Sequence, residues 1–160
     1  MSSEKQQARH RLHDLAREAS LLRRTGSRAH ALERLHPLLV GEGPVLSFQS
    51  LPDEPDLTLF NQWLAEQGRL RLEPSHRPGH TVRLDPTLVY DPEEPLDVIL
   101  VPGIGFTEAG HRLGRGHGHY DRLLSRLPCR LRIGICWTEQ LTPTLPTDPW
   151  DQPVHLVITF

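Results

Sequence analysis

Residues 110–122 read G-H-R-L-G-R-G-H-G-H-Y-D-R. Gly114, Gly116 and Gly118 alternate with bulkier residues, and glycine reaches backbone angles that other residues avoid while letting a ligand approach the main chain closely. Arg112, Arg115 and Arg122 bring cationic charge to the same place. Backbone N–H groups opened by glycine, with arginines around them, form an anion site suited to phosphate. The spacing is neither G-x-G-x-x-G nor the G-x-x-x-x-G-K-[ST] of a P-loop, which weighs against both readings. Asp121 follows the loop directly, so its carboxylate faces any phosphates held there, and magnesium binds carboxylate and phosphate oxygens together. The plainer role, an acidic residue favoured by the dipole of a helix start, is compatible with that one. His111, His117 and His119 crowd the same loop. Zinc is conceivable because imidazole is a common ligand, but the alternation with glycine is already accounted for by an anion loop, and no cysteine or fourth ligand is evident.

The elements that must position these residues read as follows. An apolar strand over residues 97–101, closed by Pro102, leads in, and a short helix over 120–127, with Leu123, Leu124 and Leu127 on one side, leads out. Residues 3–24 repeat Leu12, Leu15, Ala16, Ala19 and Leu22 at helical spacing, with Ser2 or Ser3 able to cap the start and Gly26 to end it. Lys5 and Arg9 lie one turn apart and could grip one phosphate chain; the alternative is two solvated charges. A second helix is expected over 27–35, capped by Ser27. A strand at 44–48, a helix at 57–67 capped by Asp56 and stopped by Gly68, and a strand at 70–72 make a parallel strand–helix–strand unit. Glu54 falls on its turn, at the strand end where open α/β sheets place ligands. Residues 75–95 are polar and proline-rich and read as a loop crossing the site, with extended pieces at 81–84 and 88–90. Further strands are expected at 130–136 and 154–159. Alternation of strands and helices predicts a three-layer αβα fold with a mostly parallel sheet.

At 160 residues the chain is expected to form one domain, 1–160, which buries roughly 70% of the surface its unfolded form exposes. The net charge of −2 gives no basic field for nucleic acid. Cys129 and Cys136 are too few for a disulfide framework and read as reduced, buried thiols. With no secretory leader at Met1 and no membrane-spanning apolar run, the expectation is a cytoplasmic monomer acting on small molecules, without nucleic-acid or membrane partners.

The run Arg112, Leu113, Gly114, Gly116, Gly118, Tyr120 and Asp121 resembles the R-L-G-x-G-x-G-x-Y-D signature of the 5-formyltetrahydrofolate cyclo-ligase family, also called methenyltetrahydrofolate synthetases. The likeness continues through Ile133 and Gly134, Gln140, Leu145 and Pro146, and Asp151. Upstream, Lys5 and Arg9 resemble the family's K-x-x-x-R, and Glu54 a glutamate just after its first strand. It is strong over 96–160, ordered but weaker over 1–74, and lapses between 75 and 95, where the segment is short for the family. The family often has lysine or glycine at the place of His117, an aromatic at that of His119, and His at that of Trp150. The resemblance implies the sheet type of ribose-phosphate isomerases and CoA transferases, with N-terminal helices over 1–40 and a nucleotide-binding half over 96–160. It implies ATP-dependent cyclisation of 5-formyltetrahydrofolate to 5,10-methenyltetrahydrofolate, with ADP and phosphate released and Mg2+ as cofactor. ATP would be held by Lys5, Arg9, Arg112, Leu113, Gly114, Arg115, Gly116, His117, Gly118, His119 and Tyr120. The metal would be held by Asp121 and Asp151, and the reduced folate by Glu54, Leu46 and Tyr120. Arg115 and Tyr120 would serve catalysis, and Trp137 would flank the adenine. Two alternatives stay open: a diverged homologue that binds nucleotide or folate without turnover, and a different phosphate-binding enzyme on the same fold.

Overall fold

In the computed structural model, residues 3–73 and 85–160 are described. Ser2, the extended piece expected at 81–84 and part of the crossing loop lie outside them. In chain order the elements are helix α1 (Ser3–Leu35), strand β1 (Val45–Ser47), helix α2 (Thr58–Glu66), strands β2 (Leu70–Leu72), β3 (Leu96–Pro102), β4 (Gly105–Phe106) and β5 (Arg112–Leu113), helix α3 (His119–Leu124), and strands β6 (Cys129–Cys136) and β7 (Leu156–Thr159).

Five strands form one parallel sheet in the order β2-β1-β3-β6-β7. Along β3, Val98 and Leu100 pack with Ala16, Ala31 and Leu35 of α1 and Phe60 and Leu64 of α2. Ile99 and Val101 point the other way, toward Leu123 and Leu124 of α3. Helices cover both faces, so every position from 98 to 101 is buried, which is why V-I-L-V reads as continuous rather than alternating hydrophobicity. The three layers are those expected from the sequence. Of the crossing loop, Val89 bridges Leu72 in parallel.

The N-terminal helices differ from expectation. Instead of breaking at Gly26, α1 runs for 33 residues. Its buried positions Leu12, Ala16, Ala19, Ser27, Ala31 and Leu35 keep one face in register through the glycine. An interior glycine costs about 1 kcal/mol, whereas burying Leu35 alone contributes roughly 1.5–3 kcal/mol, so tertiary packing overrides the local stop signal. Leu22, expected on the inner face, is 81% exposed. Ser27 caps nothing: its hydroxyl donates to the Arg24 carbonyl (2.6 Å) and accepts from the Asp56 N–H (2.9 Å).

Asp56 ties α1 to α2. Its Oδ1 accepts from Thr58 N (2.9 Å) and Thr58 Oγ1 (2.6 Å), satisfying a donor at the start of α2. Its Oδ2 faces Arg28 Nε (2.9 Å) and Arg24 (3.4 Å). At the other end of α2, Gly68 has φ +69° and stops the helix as expected.

The β4–β5 hairpin was not legible in the sequence, because strands of two residues carry no period. It turns at Gly110, whose φ is +94° and where a Cβ would meet the Val154 carbonyl oxygen at 2.1 Å. The hairpin folds Arg112 back over the end of β3.

Burial alone would raise the Asp56 carboxyl, but the Thr58 bonds and the Arg28 and Arg24 guanidiniums outweigh it and hold the pKa below its ordinary 3.8. A depressed carboxyl stabilises the fold above its unfolded pKa, and that contribution is lost as pH falls through the folded value. Asp56→Asn is therefore expected to lower stability near neutral pH by about 1–3 kcal/mol and to flatten the stability curve below pH 3.8. Urea titrations of both proteins between acid and neutral pH check this; parallel curves would refute it.

Candidate active site

From β1 the chain runs outward to β2 and returns to β3 on the other side of β1. Strand order reverses there, and open α/β sheets leave a crevice at that point beyond the carboxyl ends of their strands. A cavity of about 520 Å³ opens at this place. Leu51, after β1, and Pro102 and Gly103, at the end of β3, line its floor. Residues 114–121 form one wall, Asp148, Trp150 and Asp151 form a rim, and Lys5 and Arg9 reach in from the first turns of α1.

The loop has the backbone that its glycines suggest. Gly116 (φ +106°) and Gly118 (φ +65°) take left-handed angles, and Gly118 is the residue before α3. Gly114 does not, but a Cβ there would stand 3.1 Å from the Arg112 guanidinium nitrogens. Arg112 is buried; its Nε donates to the Pro102 carbonyl (2.7 Å) and its guanidinium lies 5.4 Å from the Tyr120 ring centre. Arg9 Nε donates to the Gly114 carbonyl at 2.8 Å, clasping the loop from α1. Arg115 forms a two-pronged pair with Asp53, at 2.9 and 3.2 Å, and His13 Nε2 approaches the same carboxylate at 3.2 Å.

On the opposite rim, Lys5 Nζ donates to Asp148 (2.5 Å) and Asp151 (2.7 Å). Burial opposes its charge, but the two carboxylates prevail and raise its pKa above the ordinary lysine value. Asp121 Oδ1 accepts from the Gln152 N–H at 2.9 Å, so the start of α3 is bonded to the rim. Among the described residues no group of three or more histidine, cysteine, aspartate or glutamate side chains stands ready to hold a metal. The donor set in the cavity is the carboxylates Asp121, Asp148 and Asp151. Such a set fits magnesium, which binds through one or two carboxylates plus substrate phosphates rather than in an all-protein cage.

Of the residues singled out from sequence, Lys5, Arg9, Arg112, Gly114, Arg115, Gly116, His117, Gly118, His119, Tyr120, Asp121 and Asp151 all line this cavity. Others do not. Leu46 is fully buried on the α3 side of the sheet, because alternation along β1 points it into the core. The Leu113 side chain packs against Leu12 and Ile104, turned inward by its place in β5. Trp137 is fully buried and its Nε1 donates to the Asp53 carbonyl, so it braces the loop after β1 and does not line the cavity. Glu54 is 4% exposed and its Oε1 accepts from the Leu51 N–H; it shapes the turn that presents Leu51 and does not itself line the cavity. His119 Nε2 stands 3.0 Å from Glu73.

Three contributors escaped the sequence reading. Asp53, in a loop without periodicity, gave no signal of its pairing with Arg115. Asp148 forms with Asp151 a carboxylate pair three residues apart, D-P-W-D, which could have been noticed. Trp150, between them, is 67% exposed on the rim. The two cysteines are free thiols. Burial raises both, Cys136 to about 12, which disfavours the thiolate form that a nucleophile needs.

The profile of the 5-formyltetrahydrofolate cyclo-ligase family matches residues 83–160, beginning earlier than the strong likeness seen from residue 96. The mouse 5-formyltetrahydrofolate cyclo-ligase is 38% identical over 68 residues, covering 39% of this chain and 34% of the relative. The Escherichia coli (strain K12) enzyme of that name is 32% identical over 138 residues, covering 85% of this chain and 65% of the relative. The matches thus span between about a third and two thirds of these relatives. The NMR structure of Aquifex aeolicus 5,10-methenyltetrahydrofolate synthetase superposes with a TM-score of 0.73 at 26% identity, over 97% of this chain and 89% of that one.

The Lys5 bridge gives a stability prediction. Lys5→Met removes the cation between two neighbouring carboxylates and is expected to cost about 1–3 kcal/mol. Asp148→Asn in the Lys5→Met background should restore part of that. A double-mutant cycle read by urea unfolding measures the coupling, which is expected to exceed about 0.5 kcal/mol.

Proposed function

We propose that this chain is a member of the 5-formyltetrahydrofolate cyclo-ligase family and that it cyclises 5-formyltetrahydrofolate to 5,10-methenyltetrahydrofolate at the expense of ATP, with ADP and phosphate released; the family profile over residues 83–160 and the likeness to the Escherichia coli enzyme support this reading. The observation that carries the proposal is the convergence on one cavity of a glycine loop, the cations Lys5, Arg9, Arg112 and Arg115, and the carboxylates Asp121 and Asp151, from segments remote in sequence.

In this reading the formyl oxygen attacks the γ-phosphorus and displaces ADP, leaving an iminium phosphate. Nitrogen 10 then attacks the formyl carbon, loses its proton, and phosphate departs. Such a transfer asks the protein for positioning and for neutralisation of charge on the phosphate oxygens. The Gly114–Gly118 backbone and Arg9 cradle the polyphosphate. Arg115 exchanges Asp53 for a phosphate oxygen, which strengthens as negative charge gathers there in the transition state. Arg112, fixed by Pro102, holds Tyr120 against the substrate side. Asp121 and Asp151 would hold Mg2+, which when bound neutralises phosphate charge. Lys5, released from Asp151, would then turn to the phosphates.

Binding without turnover is the second reading, favoured by the shortness of the segment 75–95. Release of ADP measured with and without 5-formyltetrahydrofolate separates the two. Folate-dependent ADP release and the appearance of methenyltetrahydrofolate absorbance are expected; nucleotide binding without either would leave the binding reading in place. A sugar-phosphate isomerase activity would need no ATP hydrolysis.

Asp121→Asn is expected to abolish turnover at saturating magnesium while leaving the circular dichroism spectrum unchanged. Full activity in that variant would remove Asp121 from the site. Deleting residues 1–10 takes away Lys5 and Arg9 but spares the core, whose first α1 leucine is Leu12. The deletion is expected to raise KM for ATP about tenfold, the equivalent of 1.4 kcal/mol, and KM for folate much less. Equal rises would mean the segment is only structural.

A further inference from the structure

We infer that Trp150 is the stacking platform for the purine ring of the nucleotide, an assignment that rests on the proposed use of ATP. A large aromatic side chain that is 67% exposed has not been placed for the core. On this rim it is also in a fixed place. Asp148 N donates to Asp151 Oδ2 (2.7 Å) and Asp151 N to the Asp148 carbonyl (3.1 Å), closing a tight turn with Trp150 inside it. The second tie, Lys5 to both carboxylates, anchors that turn to α1.

The other aromatic rings are spent elsewhere. Tyr120 lines the cavity but is only 8% exposed, with Arg112 over its ring. Trp137 is buried, and Trp63 packs beside Phe60 and His36. Trp150 stands next to the residues that would hold the metal and the phosphates. A nucleotide whose polyphosphate lies on the glycine loop and Lys5 therefore has its base within reach of this rim. An indole face stacks on any base, and such contacts contribute roughly 1–3 kcal/mol per base. The site accordingly discriminates little between adenine and guanine.

The test is calorimetric, on the full chain with magnesium, using a non-hydrolysable ATP analogue, the GTP equivalent, inorganic tripolyphosphate and 5-formyltetrahydrofolate. Trp150→Ala is expected to weaken both nucleotide analogues about tenfold or more and to leave tripolyphosphate and folate within about twofold. Trp150→Phe should recover most of the loss. Quenching of tryptophan emission by the ATP analogue should be seen in wild type and lost in Trp150→Phe, where Trp63 and Trp137 remain. Unchanged nucleotide affinity in Trp150→Ala overturns the assignment and leaves the proposed function standing. Loss of folate affinity instead gives the ring to the other substrate and overturns it equally. Wild type that binds tripolyphosphate but no nucleotide analogue overturns both.

Discussion

The ammonium of Lys5 lies between Asp148 and Asp151, joining residues 143 and 146 positions apart. The cavity depends on this contact. The first turn of a helix has unsatisfied N–H groups and few neighbours, and termini fray unless they are tied down. Here the tie is a lysine whose side chain is 7% exposed, held charged by two acceptors that offset its desolvation. With the turn in place, Arg9 comes within hydrogen-bonding reach of Gly114, and the glycine loop acquires a facing wall.

What makes the tie useful is the stiffness of α1. A single 33-residue helix carries Lys5 and Arg9 at one end, the Arg24 and Arg28 pairs with Asp56 in its middle, and Arg34 over the Phe160 ring at the other. Each clamp reaches a different part of the sheet's surroundings, so the rod has one seat. A break at Gly26 would have separated Arg24 from Arg28, which share Asp56, and left the Arg34 contact on a different helix from Lys5 and Arg9. Sites built on regular elements are held more closely than sites built on loops.

The cations at the cavity are already engaged by the protein itself. Arg115 has Asp53, Arg9 has the Gly114 carbonyl, Arg112 has the Pro102 carbonyl and Lys5 has two aspartates. Such pairing fixes rotamers before a ligand arrives, which lowers the ordering cost of binding. The arrangement also makes an anion compete with internal carboxylates for Arg115 and Lys5. Arg112 is held differently, with its Nε on the Pro102 carbonyl and its Nη1 3.9 Å from the Asp121 carboxylate, so it joins the end of β3 to the start of α3.

The sequence by itself determined the layers, the parallel sheet and the chemical character of the loop. These follow from local signals: continuous apolar runs at 98–101 and 133–136, caps and stops such as Asp56 and Gly68, and glycines at 114, 116 and 118 beside arginine and Asp121. Tertiary structure alone decided which distant residues share the cavity. Nothing in the local sequence couples Lys5 to Asp148, or Asp53 to Arg115, because an ion pair between segments far apart in the chain leaves no periodicity. Tertiary burial also overrode the stop at Gly26, sent Leu46 and Leu113 inward with the pleat of their strands, and enclosed Trp137. It left Trp150 outside, since a turn closed by its own two aspartates has no core to give the ring.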